Sequence, residues 1–495
     1  MLEDGGIAQA LDIVFINSPI KNYDISPRYN DFTLPVLGLA YIATYVREQG
    51  FVVDVLDAEA LGLGISKIIA TVNALKPRWV GLNLLAPTYH HSVEILRGLN
   101  PDIAVMLGGH QAKAMPMHIL SDSQIPRIDA LVLGEGEYRT TEILKQRDNR
   151  KILPHVWWRD NSGEVCQGEP PAGANSNYWL APDINTLPFV DRTFLVQDPF
   201  INGEGDVEAN LVGSRGCPYD CSFCGAAISA NPDVTIRTRH PLNIVEEMEE
   251  IAQKYNARVF RFVDDLFLAS PPFMRKCLNT FQELGIGKKF RWDATGRINI
   301  LSKAPDSLLD LMQQTGCREV ALGIESGSTR LLGYMGKHIT PDMTKRAVQV
   351  LTSRGINVKG YFILGFPTET LAELEETVHL IRELWRIAEV NPGTFRCSVF
   401  EFRPYPGTPE WNRLIATGRY REEDLLHYES VDLTKHGQVQ EMLERDEFNF
   451  SVNQQFGDVP VALVRHYLAE IMVEQKRRLD TGSDHVQRLN LALRV

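Results

Sequence analysis

Twice along this chain, short β-branched runs alternate with amphipathic stretches of helical length, and that rhythm constrains the fold more than any other feature. The first series fills residues 11–145. Its strand candidates are LDIVFIN (11–17), FVVDVLD (51–57), RWVGLNL (near 79–85), IAVMLGG (103–109) and DALVLGEGE (129–137), with helices predicted over 35–49, 65–75, 89–99, 111–121 and 136–146. Strands that alternate with helices of this length form βαβ units on a parallel sheet. Five such units predict a doubly wound, flavodoxin-like α/β domain whose ligands sit beyond the carboxyl ends of the strands. The second series spans 209–418, with strands EANLVGS, ARVFRFVDD, KFRWDATG, REVALGIES, NVKGYFILG and TFRCSVFEF. Six consecutive units predict a partial (β/α)6 barrel, where chemistry belongs at the C-terminal strand ends.

Between the two series, GEPPAGANSNYWLAPDINTLPF is rich in Pro, Gly, Asn and Ser, which is linker chemistry. The expected division is 1–146, a linker over 147–208, 209–418, and a helical C-terminal region over 419–495. ILPHVWWRD and EVCQG suit a small hairpin inside the linker. REEDLLHY, VQEMLERD and VPVALVRHYLAEIMVEQKRRL read as tail helices that cap the barrel mouth or pack beside it. A formal net charge of −12 disfavours a nucleic-acid binder, which needs a basic stripe. No apolar run approaches the roughly 18 residues of a membrane span, and MLEDGGIAQA is no secretory signal. A cytoplasmic protein is expected.

Seven cysteines are too few, and odd in number, for a secreted disulfide scaffold. Three of them, Cys217, Cys221 and Cys224, fall in SRGCPYDCSFCGAA, a C-x3-C-x2-C loop after the first barrel strand. Thiolates on such a loop suit zinc or an iron–sulfur cluster. Structural zinc wants four protein ligands, usually from paired knuckles. There is no second cysteine pair, and His240 is the nearest spare ligand. Three thiolates on a cubane leave one iron open to a cosubstrate, so the cluster reading is preferred.

That loop, at that strand end, resembles the radical S-adenosylmethionine (SAM) superfamily. The resemblance implies a [4Fe–4S] cluster on the three cysteines, with SAM chelated at the open iron and cleaved to a 5′-deoxyadenosyl radical. Phe223 matches the aromatic that packs near the adenine. IESGS (324–328) is similar to the acidic SAM motif, with Glu325 on the ribose hydroxyls or amino group and Ser326 and Arg297 toward the carboxylate. GYFILGFPTET (360–370) resembles the G-x-I-x-G motif, Gly365 lying in its turn, and Arg403 with PYPGT resembles the sixth-strand element beside the adenine. Asp264–Asp265 reads equally as a substrate-side pair and as a cap on the next helix.

A flavodoxin-like domain ahead of such a barrel resembles the cobalamin-binding subgroup of the superfamily. NSPI, LPVLGLAYIATYVREQG, LGGHQAK (107–113) and LGEGE (133–137) carry this likeness. It implies that Gly108, Gly109, His110, Gly134 and Gly136 line the pocket of the corrin nucleotide tail. It also implies that the loop from Asn83 to Tyr89 faces the lower side of cobalt, with Leu84 and Leu85 keeping water away. The D-x-H-x-x-G signature of a lower histidine ligand is absent, and His90 and His91 lie outside that pattern.

The function implied is methylation of an unactivated carbon of a small molecule such as a secondary metabolite. The cofactors are the cluster, SAM and cobalamin, and the electron donor is external, of flavodoxin or ferredoxin type. Two other classes stay open. One is a cobalamin-dependent cyclase, rearrangement catalyst or oxidase, and the other is a non-catalytic binding protein. A methylthiotransferase usually carries a second cluster on N-terminal cysteines, and no cysteine precedes Cys166.

Overall fold

The computed structural model describes residues 10–26, 33–172, 183–230, 236–431 and 450–492. The predicted tail helix VQEMLERD lies outside the described residues. Strands β1 (Ile13–Asn17), β2 (Val53–Asp57), β3 (Trp79–Asn83), β4 (Ala104–Gly108) and β5 (Ala130–Val132) form a parallel sheet in the order β2-β1-β3-β4-β5. This is the doubly wound order. Alternate residues serve opposite faces, as the pleat requires. Ile13, Phe15, Trp79 and Met106 pack under the helix Leu37–Glu48. Val14, Ile16, Val80 and Leu107 pack under the helices Ile65–Leu75 and Tyr89–Gly98. The helix predicted over 111–121 is two short helices, His110–Ala114 and Pro116–Ser121, broken at Met115 because the following proline disfavours helical geometry there.

The predicted hairpin exists as β6 (Val156–Arg159) and β7 (Val165–Gln167), but it belongs to the first sheet, where β6 runs antiparallel to β5. Three-residue β5 would otherwise be a bare edge. The rest of the connection is also packed: Val190, Phe194 and Leu195 are buried against the first domain.

The second sheet has the order β16-β15-β14-β13-β12-β9-β8. Its six parallel strands are β9 (Val207–Leu211), β12 (Val259–Phe262), β13 (Arg291–Gly296), β14 (Cys317–Glu325), β15 (Asn357–Leu364) and β16 (Phe395–Glu401). The two-residue strand β8 (Phe200–Ile201) pairs antiparallel with β9 at one edge. The outward faces of these strands share one large core with the surrounding helices, centred on Phe260, Phe262, Trp292, Leu322 and Phe362. The concave face carries charge instead. Arg261 pairs with Glu208 at 2.8 Å, Arg318 bridges Glu208 (3.0 Å) and Asp293 (2.9 Å), and Arg396 holds Glu319 at 2.6 and 2.8 Å.

At the far edge the helix Val461–Ala492 lies along β16. Gln475 Oε1 accepts the Cys397 N–H at 2.6 Å, and its Nε2 donates to the Cys397 carbonyl at 3.0 Å. Val464 on this helix stands 3.4 Å from where a side chain at Gly365 would begin. The long tail helix is therefore a packing element on the sheet edge. Among the described residues no helix is long and apolar enough to cross a membrane.

Candidate active site

The cysteine loop leaves β9 through a two-residue ladder between β10 (Ser214–Arg215) and β11 (Arg237–Thr238). Asp264, at the end of β12, braces its start: the carboxylate accepts the Gly213 N–H and the Ser214 hydroxyl. Asp264 is thus a positioning group and not a helix cap; the next helix is capped by Ser270. Burial, partly offset by those hydrogen bonds, pushes its carboxyl up to about 6. The loop is fastened further by Ser222, whose N–H reaches the Met335 carbonyl at 2.9 Å and whose carbonyl takes the Glu410 N–H at 2.8 Å.

Cys221 is buried, while Cys217 and Cys224 are half-buried. Arg297 Nη1 approaches Cys221 Sγ at 3.5 Å, and the Ala226 N–H approaches Cys224 Sγ at 3.4 Å. Donors aimed at thiolate sulfur are the usual surroundings of a cluster. Among the described residues no three His, Cys, Asp or Glu side chains converge on a point that holds a single ion. A cubane asks for something different, one thiolate per iron.

The residues expected to meet SAM divide into two groups. Arg297 is buried, its guanidinium 3.4 Å from the Tyr219 ring centroid and its Nη2 on the Lys337 carbonyl at 2.8 Å. Glu325 has a φ of 68°, the left-handed region, at an irregularity where β14 meets β15. Its Oε1 takes the Lys337 ammonium at 2.9 Å, and both side chains are buried. Phe223 packs edge-on against Phe366 with ring centroids 6.0 Å apart, and the Lys337 ammonium lies 6.0 Å from its own ring centre. Phe223, Arg297 and Glu325 are thus linked through Lys337, which motif reading missed.

Ser326, Gly365 and Arg403 are committed elsewhere. The Ser326 hydroxyl lies 3.2 Å from Thr377 Oγ1 and accepts the Ser328 N–H, so it ties β14 to the helix Leu371–Glu389. Gly327 lets the chain lie flush on that helix, where a Cβ would sit 2.4 Å from the Glu376 carbonyl oxygen. Gly365 has a φ of 76°, in the left-handed region that suits glycine, and its N–H is held by Glu369. Arg403 donates to the Tyr405 hydroxyl at 2.7 Å and stacks among Phe400, Tyr405 and Phe450.

Glu369, in the GFPTET turn, accepts the Gly365 N–H at 2.5 Å on one oxygen, while its other oxygen has no protein partner. Burial pushes this carboxyl from 4.5 up to about 8. The native state thus keeps a proton that the unfolded chain releases near 4.5. Its contribution is most favourable below that pH and declines as pH rises to about 8, by about 1.4 kcal/mol per unit at most. The urea midpoint is expected to fall across this window, and Glu369→Gln to flatten the fall.

The C-terminal strand ends of both sheets open onto one cavity of about 480 Å³. Asn83, Gly108, Gly109, His110, Gly134 and Gly136 line it from the first domain, and Cys217 and Asp265 from the second. Gly109 has a φ of 95°, and a Cβ there would stand 2.2 Å from Asn83 Oδ1, so no other residue fits. Burial pushes the His110 imidazole down, and Asp265 partly offsets this across the cavity. Leu84 and Leu85 do not line it. Leu84 ends in the core beneath, with Ile95 and Leu107. Leu82 and Gly81 line the cavity instead. His90 is exposed and pairs with Glu94 at 3.1 Å.

A three-thiol loop at the strand ends of a half-barrel faces a doubly wound domain across one cavity, an arrangement that suits an iron–sulfur cluster beside a second ligand. Comparison with known proteins agrees. Residues 211–381 match the radical SAM superfamily, and residues 31–144 match the B12 binding domain. The chain is 29% identical over 408 residues to an uncharacterized methyltransferase of Pyrococcus horikoshii, covering 81% of this chain and 83% of that one. It is 27% identical over 379 residues to the anaerobic magnesium-protoporphyrin IX monomethyl ester cyclase of Rubrivivax gelatinosus, covering 72% of this chain and 65% of the relative. The solved structure of the radical SAM methyltransferase TsrM from Kitasatospora setae, with cobalamin and a [4Fe–4S] cluster bound, shares the fold with a TM-score of 0.60. That match has 19% identity and covers 83% of this chain and 76% of that one. The chain carries a radical SAM domain and a B12 binding domain, and is a radical SAM enzyme whose cofactors are a [4Fe–4S] cluster, SAM and cobalamin.

Proposed function

We propose that this enzyme methylates an unactivated carbon of a small molecule of secondary-metabolite type. The observation that carries the reading is the shared cavity: the cysteine loop and the glycine-lined strand ends of the first domain face the same space. When bound, the cluster and SAM supply a 5′-deoxyadenosyl radical, and cobalamin supplies the methyl group. Cys217, Cys221 and Cys224 would hold the cluster. Arg297, Glu325 and Lys337 would orient the charged end of SAM, and Phe223 would pack on its apolar surface. Gly108, Gly109 and Gly134 would let the backbone approach the cobalamin tail, with Asn83 and His110 as polar contacts. Orientation of reacting groups is the protein's main contribution to such chemistry. An external flavodoxin- or ferredoxin-type donor and a cytoplasmic, reducing setting belong to the same reading.

A second reading, cyclisation or oxidation without methyl transfer, draws on the likeness to the cyclase of Rubrivivax gelatinosus. Products separate the two. Protein reconstituted anaerobically with iron, sulfide and hydroxocobalamin is reduced in excess SAM, and 5′-deoxyadenosine and S-adenosylhomocysteine are quantified by mass spectrometry. Both products are expected. 5′-Deoxyadenosine without S-adenosylhomocysteine would move the assignment to the second reading. Neither product, with the cluster intact, would leave a binding protein.

A further inference from the structure

We propose that Arg215 is a positioning residue that fixes the cysteine loop at a set height above the cavity, and so sets the spacing between cluster and cobalamin. The inference rests on the reading above, in which the loop carries the cluster and the cavity the cobalamin. Arg215 lies two residues before Cys217. Its two terminal nitrogens reach different carboxylates on the first domain: Nη1 to Glu135 at 2.8 Å and Nη2 to Glu137 at 2.7 Å. Arg237, its cross-strand neighbour in the two-residue ladder, also pairs with Glu135. The Arg215 guanidinium lies 5.1 Å from the ring centroid of buried Tyr41. Burial alone would raise the Glu137 carboxyl, yet Arg215 beside it holds it below the usual range. A planar guanidinium holds the two acids in fixed directions from separate nitrogens, whereas an ammonium's donors share one rotatable nitrogen and fix neither direction.

Glu135, Glu137 and Arg215 all stand in the cavity wall, so the clamp forms one side of it. The domains also meet at a second place. Gly407, with a φ of 76°, lies so close to the helix His110–Ala114 that a Cβ would stand 2.9 Å from the Ala114 Cβ. Next to it, Met115 joins the barrel-side cluster of Phe366 and Phe402. The cavity is thus held between an apolar post and an ionic one, and the ionic one is continuous with the cysteine loop. Radical formation needs SAM and cluster alone, whereas methylation of cobalamin by SAM also needs the two halves at the right separation. The clamp therefore bears on the second and not the first.

The test pairs Arg215→Met with Glu137→Gln, which leaves Glu135 its Arg237 partner and no buried acid unpaired. Iron and cobalamin content, the magnetic coupling between reduced cluster and cob(II)alamin by electron paramagnetic resonance, and both SAM products are measured without substrate. Full loading of both cofactors is expected, with weakened or dispersed coupling. S-Adenosylhomocysteine formation should fall about 10²-fold, the effect of about 1 Å of misplacement, while 5′-deoxyadenosine formation stays within about twofold. Should the double variant fail to load, Arg215→Lys keeps the charge and loses the fork, and the same split is expected in smaller degree. Unchanged coupling and an unchanged product ratio in whichever variant loads would overturn the role of Arg215. Wild-type protein that takes up cobalamin without coupling to the cluster, or takes up none, would overturn the underlying reading and this inference with it.

Discussion

Anaerobically reconstituted protein carrying Cys221→Ala is expected to form no 5′-deoxyadenosine above background, and Cys217→Ala and Cys224→Ala to behave alike. Each thiolate serves one iron, so two remaining ligands leave the cubane exposed at a second corner, and loss is complete where a binding-pocket change would be graded. Cys221 is the most enclosed of the three, and its sulfur faces Arg297, so its loss also removes the sulfur that Arg297 Nη1 approaches. Iron content, visible absorbance and mass spectrometric detection of 5′-deoxyadenosine read the outcome. Wild-type turnover in any one variant would refute the cluster assignment. Three of the four remaining described thiols provide the contrast. Cys277, Cys317 and Cys397 are buried, and burial pushes the Cys397 thiol up to about 12, so they pack as small apolar groups. Serine at Cys397 leaves the cluster in place.

The second large effect is expected at Lys337. Lys337→Met leaves Glu325 buried, in a left-handed backbone conformation, with no counter-charge. Removing one partner of such a pair costs about 3–5 kcal/mol. There is no slack to absorb it, because even a Cβ on neighbouring Gly323 would stand 2.4 Å from Glu325 Oε1 and 2.8 Å from the Lys337 ammonium. The urea midpoint should therefore drop sharply and SAM affinity should fall. Adding Glu325→Gln removes the orphaned charge, so stability should recover while SAM affinity, measured by equilibrium dialysis, stays low. Recovery of both would show that the pair is structural only.

The βα rhythm revealed both sheets because period-two and helical patterning are local properties of the chain, and the cysteine spacing was legible for the same reason. Side-chain direction was harder. Glu325 and Ser326 stand at the expected strand end, but the irregularity between β14 and β15 sends them apart, one toward Lys337 and the other into the helix behind. Leu84 and Leu85 follow Asn83 in sequence, yet only the residues before them face the cavity. The Glu325–Lys337 pair spans 12 residues with no motif to join them, and Arg215 meets Glu135 across 80. The first arises only once the barrel has folded, and the second only once two folded bodies dock. The charged concave face was present in the sequence as FRF, WDA and FRC, where single charges interrupt apolar runs, and as REV, where two adjacent charges do.

The half-barrel does not close, so its sheet keeps two margins, and open margins of parallel sheet are templates for foreign strands. One margin is only as long as β8. At the other, the side chain of Gln475 supplies an acceptor and a donor to Cys397, standing in for one residue of a missing neighbour strand, while its helix shields the rest of β16. Sheet growth is thus terminated at both ends from within the chain, which protects a slow-folding parallel fold against self-templated aggregation without requiring a closed barrel.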